Sequence, residues 1–175
     1  MKKVGILNIG QGNLLSLASA LNELNVHMSS VENYRDLKSV DALILPGVGA
    51  FNSYMQKINE AKLQKALVDY ALHYEKPLLG ICVGMHVLFT TGEENGVTDG
   101  LGIFSGNVIV NNSGLNVGYN KLIADGFVGA QRTIGFTNKT KFYFTHGYHI
   151  DTQEEFEFCY HSNVGSEKFL ALLNH

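Results

Sequence analysis

The chain alternates short apolar runs with stripes of helical period. Lys3–Ile9 is an apolar run that stops at Gly10, as a buried parallel strand does. Asn13 then precedes Leu14, Leu17, Ala18, Leu21 and Leu24, whose spacing predicts a helix with Asn13 as its N-cap. Val26–Val31 and Val40–Leu45 read as the next two strands, the second stopped by Pro46-Gly47. Leu63, Ala66, Leu67, Tyr70 and Ala71 give helical period to Ala61–Tyr74. Pro77–Cys82 is a fourth strand, expected to be buried, and Met85–Thr90 the helix behind it. Strands alternating with helices imply βαβ units and a parallel sheet. The second half differs. Leu101–Val110, Asn116–Ile123, Arg132–Gly135, Lys141–Phe144, Glu155–Tyr160 and Phe169–Leu173 are short strand-like runs separated by Gly, Asn and Asp. The expected fold class is therefore α/β, a mostly parallel central sheet with flanking helices plus antiparallel strands in the C-terminal half.

Length and composition narrow this picture. A chain of 175 residues with 45% hydrophobic and 17% charged positions is expected to form one domain, residues 1–175, around a sizeable core. A formal charge of −3 carries no footprint of nucleic-acid or anionic-membrane binding. No apolar stretch is long enough to span a bilayer, and Met1–Leu7 runs into a strand without a signal-peptide cleavage site. Cys82 and Cys159 lack CxxC spacing, which points away from a disulfide framework and towards the cytoplasm. The chain stops directly after a strand-like run, at Leu172-Leu173-Asn174-His175, so a polypeptide cut short is expected.

The sharpest chemical signal is Gly80-Ile81-Cys82-Val83-Gly84, after the apolar Pro77-Leu78-Leu79. This spacing fits a tight strand-to-helix turn that lifts one thiol towards a cleft. Gly80 lets the backbone pass without a clashing Cβ, and Gly84 lets the next helix start close to the strand. At a helix N-terminus the thiol's pKa is expected to fall. Cys159, in an aromatic run, reads as a core cysteine. Acyl transfer also needs an oxyanion hole. The N–H of Val83 supplies one donor, and the loop Pro46-Gly47-Val48-Gly49-Ala50-Phe51 is a source of the second. A thiol needs a base as well. His27 and His73 fall at element edges. His86 lies four residues past Cys82, placed to touch substrate. His146 heads a glycine-containing turn. His161 has Asn163 two residues on, an arrangement that reads equally well as a polar turn.

The ordered set Gly10-Gln11-Gly12-Asn13-Leu14, Pro46-Gly47-Val48-Gly49-Ala50-Phe51, Gly80-Ile81-Cys82-Val83-Gly84-Met85, Gly100-Leu101-Gly102 and Phe142-Tyr143-Phe144-Thr145-His146 resembles the class I glutamine amidotransferases. Within them it is most similar to the glutaminase subunits of imidazole glycerol phosphate synthases. Amidotransferases of surface-sugar synthesis share these motifs. The resemblance implies a flavodoxin-like core. It implies Cys82 attacking the carboxamide of glutamine, with Val48 and Val83 as oxyanion donors. Gly49, His86 and the turn His146-Gly147-Tyr148 match segments that hold glutamine in the family. No cofactor or metal is implied. The implied partner is a synthase subunit that receives ammonia, a (β/α)8 barrel in histidine biosynthesis. Three departures stand out. His86 replaces the family's Gln, and the family's His-Met-Gly-Trp-Asn reads Asn116-Val117-Gly118-Tyr119-Asn120 here. The family's His-Pro-Glu base segment is either degraded to His161-Ser162-Asn163 or falls beyond Glu167–His175, which resembles the strand before it. Two other readings stay open: a non-catalytic docking subunit, and a flavodoxin-like thiol protein binding phosphate at Gly10–Asn13.

Overall fold

The structure, a computed structural model, describes residues 2–125, 140–164 and 167–174. It divides into two compact units, Met1–Asn107 and Val108–His175.

In the first unit, β1 (Val4–Leu7), α1 (Leu14–Glu23), β2 (Met28–Val31), α2 (Tyr34–Lys38), β3 (Ala42–Pro46), α3 (Phe51–Glu60), α4 (Gln64–Val68), β4 (Leu78–Ile81) and α5 (Val83–His86) follow in order. The four strands form a parallel sheet of order β2-β1-β3-β4. This is the expected βαβ winding. Asn13 caps α1, its Oδ1 accepting from Ser16 N at 3.2 Å. The stripe after Ala61 runs as α4 and passes into a π-helical turn over Asp69–His73. The periodic reading passed over two helices. One is α2, capped by Asn33. The other is α3, whose Phe51, Tyr54, Met55 and Ile58 are buried at helical spacing. They pack with Leu7, Leu43 and Leu45 into the core of this unit.

β4 is less buried than expected. It is an edge strand, and helix α5 folds back over only one of its faces, so Leu79 (55%) and Ile81 (39%) remain exposed on the other. The helix behind it is Val83–His86 and not Met85–Thr90, because the chain turns into the hairpin of β5 (Thr91–Gly92) and β6 (Thr98–Asp99).

The second unit is built on antiparallel pairing. Its strands are β7 (Asn107–Val110), β8 (Asn116–Lys121), β9 (Ile123–Asp125), β10 (Lys141–His146), β11 (Tyr148–Asp151), β12 (Phe158–Val164) and β13 (Glu167–Asn174). β10 pairs with β8, and β12 lies between β13 and β9. Of the expected run Leu101–Val110 only the last four residues are strand. Arg132–Gly135 lies outside the described residues.

Candidate active site

The turn after β4 holds Cys82 at φ +56°, ψ −122°. Non-glycine residues rarely adopt positive φ, and such positions cluster at functional sites. The surroundings enforce it. A Cβ on Gly80 would come within 2.5 Å of the Gly84 carbonyl oxygen and 2.6 Å of the Met85 Cα. A Cβ on Gly84 would collide with the carbonyl of Leu45 at the end of β3, and one on Gly47 with Val83 and the N–H of Gly84. Gly47, Gly80 and Gly84 thus let β3, β4 and α5 meet backbone to backbone. The Cys82 carbonyl accepts from Met85 N (2.8 Å) and His86 N (3.1 Å), which closes the turn into α5.

The thiol's ionisation runs opposite to the expected direction. Burial by surrounding protein pushes Cys82 up from its ordinary value. The Val83 N–H pulls it down, and the charge of Glu94 pushes it up again. A helix of four residues adds too little dipole to reverse desolvation. Cys82 nonetheless stays open to solvent.

The loop after β3 lies beside this turn. Its first carbonyl, Pro46 O, accepts from the buried Tyr54 hydroxyl at 2.8 Å. Burial pushes that phenol up, so it remains a donor. Val48 is exposed, and Gly49 has φ +95°; a Cβ on it would lie 3.3 Å from Gln11 Oε1. The loop ends at Ala50, which gives α3 no side-chain cap. The cap comes from Glu94, whose Oε2 accepts from Phe51 N at 2.9 Å. Sequence reasoning missed Glu94. Its one local signal is a pair of glutamates in the β5–β6 turn, which says nothing of where a carboxylate lands.

Cys82, Val83, His86, Val48 and Gly49 therefore all lie in the first unit, on the β4–α5 turn and the β3–α3 loop. His146, Gly147 and Tyr148 lie in the second unit, where β10 turns into β11. The His146 ring is occupied: Nδ1 is 2.8 Å from Tyr148 O and so donates, which leaves Nε2 to accept from Asn116 Nδ2 at 2.8 Å. Asn116 Oδ1 accepts from Asn120 Nδ2 at 3.3 Å, which fixes the amide's orientation. Burial lowers the His146 pKa, with the Tyr148 carbonyl acting against it and His149 with it. The ring is a neutral, half-buried strut. His161 and Asn163 are two positions apart on β12, a strand where a polar turn was the alternative reading.

The family model of class-I glutamine amidotransferases matches residues 6–173. The imidazole glycerol phosphate synthase subunit HisH of Desulfitobacterium hafniense is 37% identical over 155 residues, covering 87% of this chain and 72% of the relative. A HisH 1 of Campylobacter jejuni is 34% identical over 158 residues, covering 87% and 78%. Among solved structures, PurLQS from Thermotoga maritima superposes with a TM-score of 0.64 at 18% identity, covering all of this chain and 88% of the other. That likeness concerns the fold alone.

Proposed function

Because the chain belongs to the class-I glutamine amidotransferase family, we propose that it is the glutaminase subunit of an imidazole glycerol phosphate synthase, acting in histidine biosynthesis. The observation that carries the site assignment is the backbone of Cys82, held at positive φ with backbone packed on both sides. Cys82 Sγ attacks the carboxamide carbon of glutamine, the carbon–nitrogen bond breaks, and ammonia leaves with the thiol's proton. Water then cleaves the γ-glutamyl thioester, releasing glutamate and restoring the thiol. The N–H groups of Val48 and Val83 stabilise the two oxyanions, a contribution worth about 10²–10³ in rate for one donor. Gly49, His86 and the turn His146-Gly147-Tyr148 bind glutamine. The His146 ring is already engaged, so its part is to hold the turn's shape.

Both compact units belong to one amidotransferase domain in this reading, which the match across residues 6–173 supports. The partner is the synthase subunit that consumes the ammonia, a (β/α)8 barrel. The cytoplasm is the compartment, supported by two cysteines, Cys82 and Cys159, that are not joined in a disulfide. Among the described residues no helix is long and apolar enough to cross a membrane.

The test is Cys82→Ala assayed with the synthase partner. Glutamine-dependent turnover should vanish while the reaction driven by added ammonia persists. Glutamine hydrolysis at the wild-type rate refutes the assignment. His161→Ala in the same assay separates a base on β12 from one supplied elsewhere.

A further inference from the structure

The first unit holds a cavity of about 310 Å³ between α2 and the helical segment that leads into β4. It lies where β3 and β4 begin, whereas Cys82 follows the end of β4. α2 contributes Tyr34, Leu37 and Lys38, whose spacing puts them on one helix face. The facing wall carries Ala66 and, from the π-helical turn, Tyr70. That turn closes with Tyr74 N bonded to Asp69 O at 2.9 Å, which brings the Tyr74 ring to the same cavity. Lys76 N then bonds back to Tyr70 O at 3.1 Å. The reversal sets the Lys76 ammonium 5.2 Å from the centre of the Tyr70 ring, where it donates to Val40 O at 2.7 Å. On α2, the Lys38 ammonium rests 4.5 Å from the centre of the Tyr34 ring.

We propose that this cavity binds a small planar anion, an aromatic ring bearing a carboxylate or a phosphate. The lining has two ammonium groups and no carboxylate. Among the described residues neither Lys38 nor Lys76 has a carboxylate partner. The neighbouring acids are turned elsewhere: Asp69 pairs with Lys65, and Asp41 accepts from Lys3 N. Glu75 is exposed and lies outside the lining. An ammonium has three donors, and Lys76 uses one on Val40 O, which leaves two for a ligand. The chain has a formal charge of −3, so an anion is drawn by this local pair of lysines and not by the protein's overall field. Buried Leu37 and Tyr70, with the exposed rings of Tyr34 and Tyr74, give a flat ring an apolar surface to stack on. The volume stands at the small end of ligand pockets, room for one ring and its acidic group. A neutral ring would leave both ammonium groups unused, and a cationic one would be repelled by them.

The experiment titrates the full chain, labelled in its tyrosine rings, with phenyl phosphate and with benzoate, read by NMR. Inorganic phosphate supplies the charge without the ring, and benzyl alcohol the ring without the charge. Phenyl phosphate and benzoate should shift Tyr34, Tyr70 and Tyr74 and saturate in the millimolar range. Each control should bind on the order of tenfold more weakly. The tighter of the two aromatic anions identifies the acidic group, and either order supports the site. Lys38→Met keeps the stem and removes the charge; Lys38 is exposed, so the variant should fold and bind both aromatic anions roughly tenfold more weakly. Ala66→Phe places a ring in the cavity and should abolish binding; if circular dichroism shows that it fails to fold, Lys38→Met decides alone. Inorganic phosphate binding as tightly as phenyl phosphate overturns the proposal, because the rings then play no part. So does unchanged affinity in Lys38→Met, and so does the absence of shifts with both aromatic anions at millimolar concentration. No glutamine turnover is read, so the outcome does not depend on the role of Cys82.

Discussion

The close approach of β4 to α5 makes a quantitative prediction for Gly80→Ala. The new Cβ would meet Gly84 O at 2.5 Å, Met85 Cα at 2.6 Å and Gly84 C at 2.7 Å. Ordinary contact begins near 3.4 Å, so α5 must retreat by roughly 0.8 Å, and all three obstacles are main chain that cannot rotate away. Overpacking of this kind costs about 1–3 kcal/mol, and a shift of backbone belongs at the upper end. For a chain of this length about 2–3 kcal/mol lowers Tm by roughly 4–12 °C. The same displacement carries Cys82 with it, and a misplacement of about 1 Å can cost roughly 10²-fold in turnover. Calorimetry and glutamine hydrolysis with the partner present read both effects. Gly147→Ala is the control: among the described residues its Cβ would touch only Leu115 Cδ1, at 3.9 Å, so Tm should move by little. Wild-type Tm and wild-type turnover in Gly80→Ala would refute the backbone-to-backbone packing of the elbow.

Three further outcomes follow from other contacts. Tyr54→Phe removes the donor to Pro46 O inside the core and should cost about 1–3 kcal/mol in urea denaturation while reducing kcat; unchanged stability would mean that the bond is not made. Because burial, and after it Glu94, pushes the thiol up from its ordinary value, alkylation of Cys82 in the isolated chain should be slow at neutral pH and keep climbing into the alkaline range; a rate already at its plateau near neutral pH contradicts this. His146 has a folded-state pKa below 6.5, so its contribution to stability is present above pH 6.5 and is lost as pH falls through the lower folded value. Protonation at Nε2 would set two donors against each other across the Asn116 contact. Tm should therefore drop on acidification in that window, and His146→Gln should flatten that part of the profile.

The parallel sheet was legible because each strand is a short apolar run closed by Gly, Pro or a polar cap, and the elbow because two glycines flank one cysteine at ±2. Helix α3 was equally visible in principle. Phe51, Tyr54, Met55 and Ile58 have helical spacing, but the preceding glycine-rich motif drew Phe51 into a loop. The two-residue strands β5 and β6 are too short for any period to register. Tyr160–Asn163 read equally well as a turn because of its polar composition. Pairing on both sides, with β13 and β9, made it strand and buried Ser162 completely. Glu94 and the raised thiol were out of reach for the same reason: each depends on what tertiary contact brings near, not on neighbours along the chain.

The conformation of Cys82 sets chemistry and durability at odds. A positive φ suits glycine and strains every side chain, by about 1–3 kcal/mol. The fold would be more durable with glycine at this one position, and only the need for a sulfur keeps a side chain there. Drift towards greater thermostability therefore presses on the nucleophile itself. Any lineage that no longer needs ammonia from glutamine is free to relax the strained turn and gain stability in the act of losing its reaction.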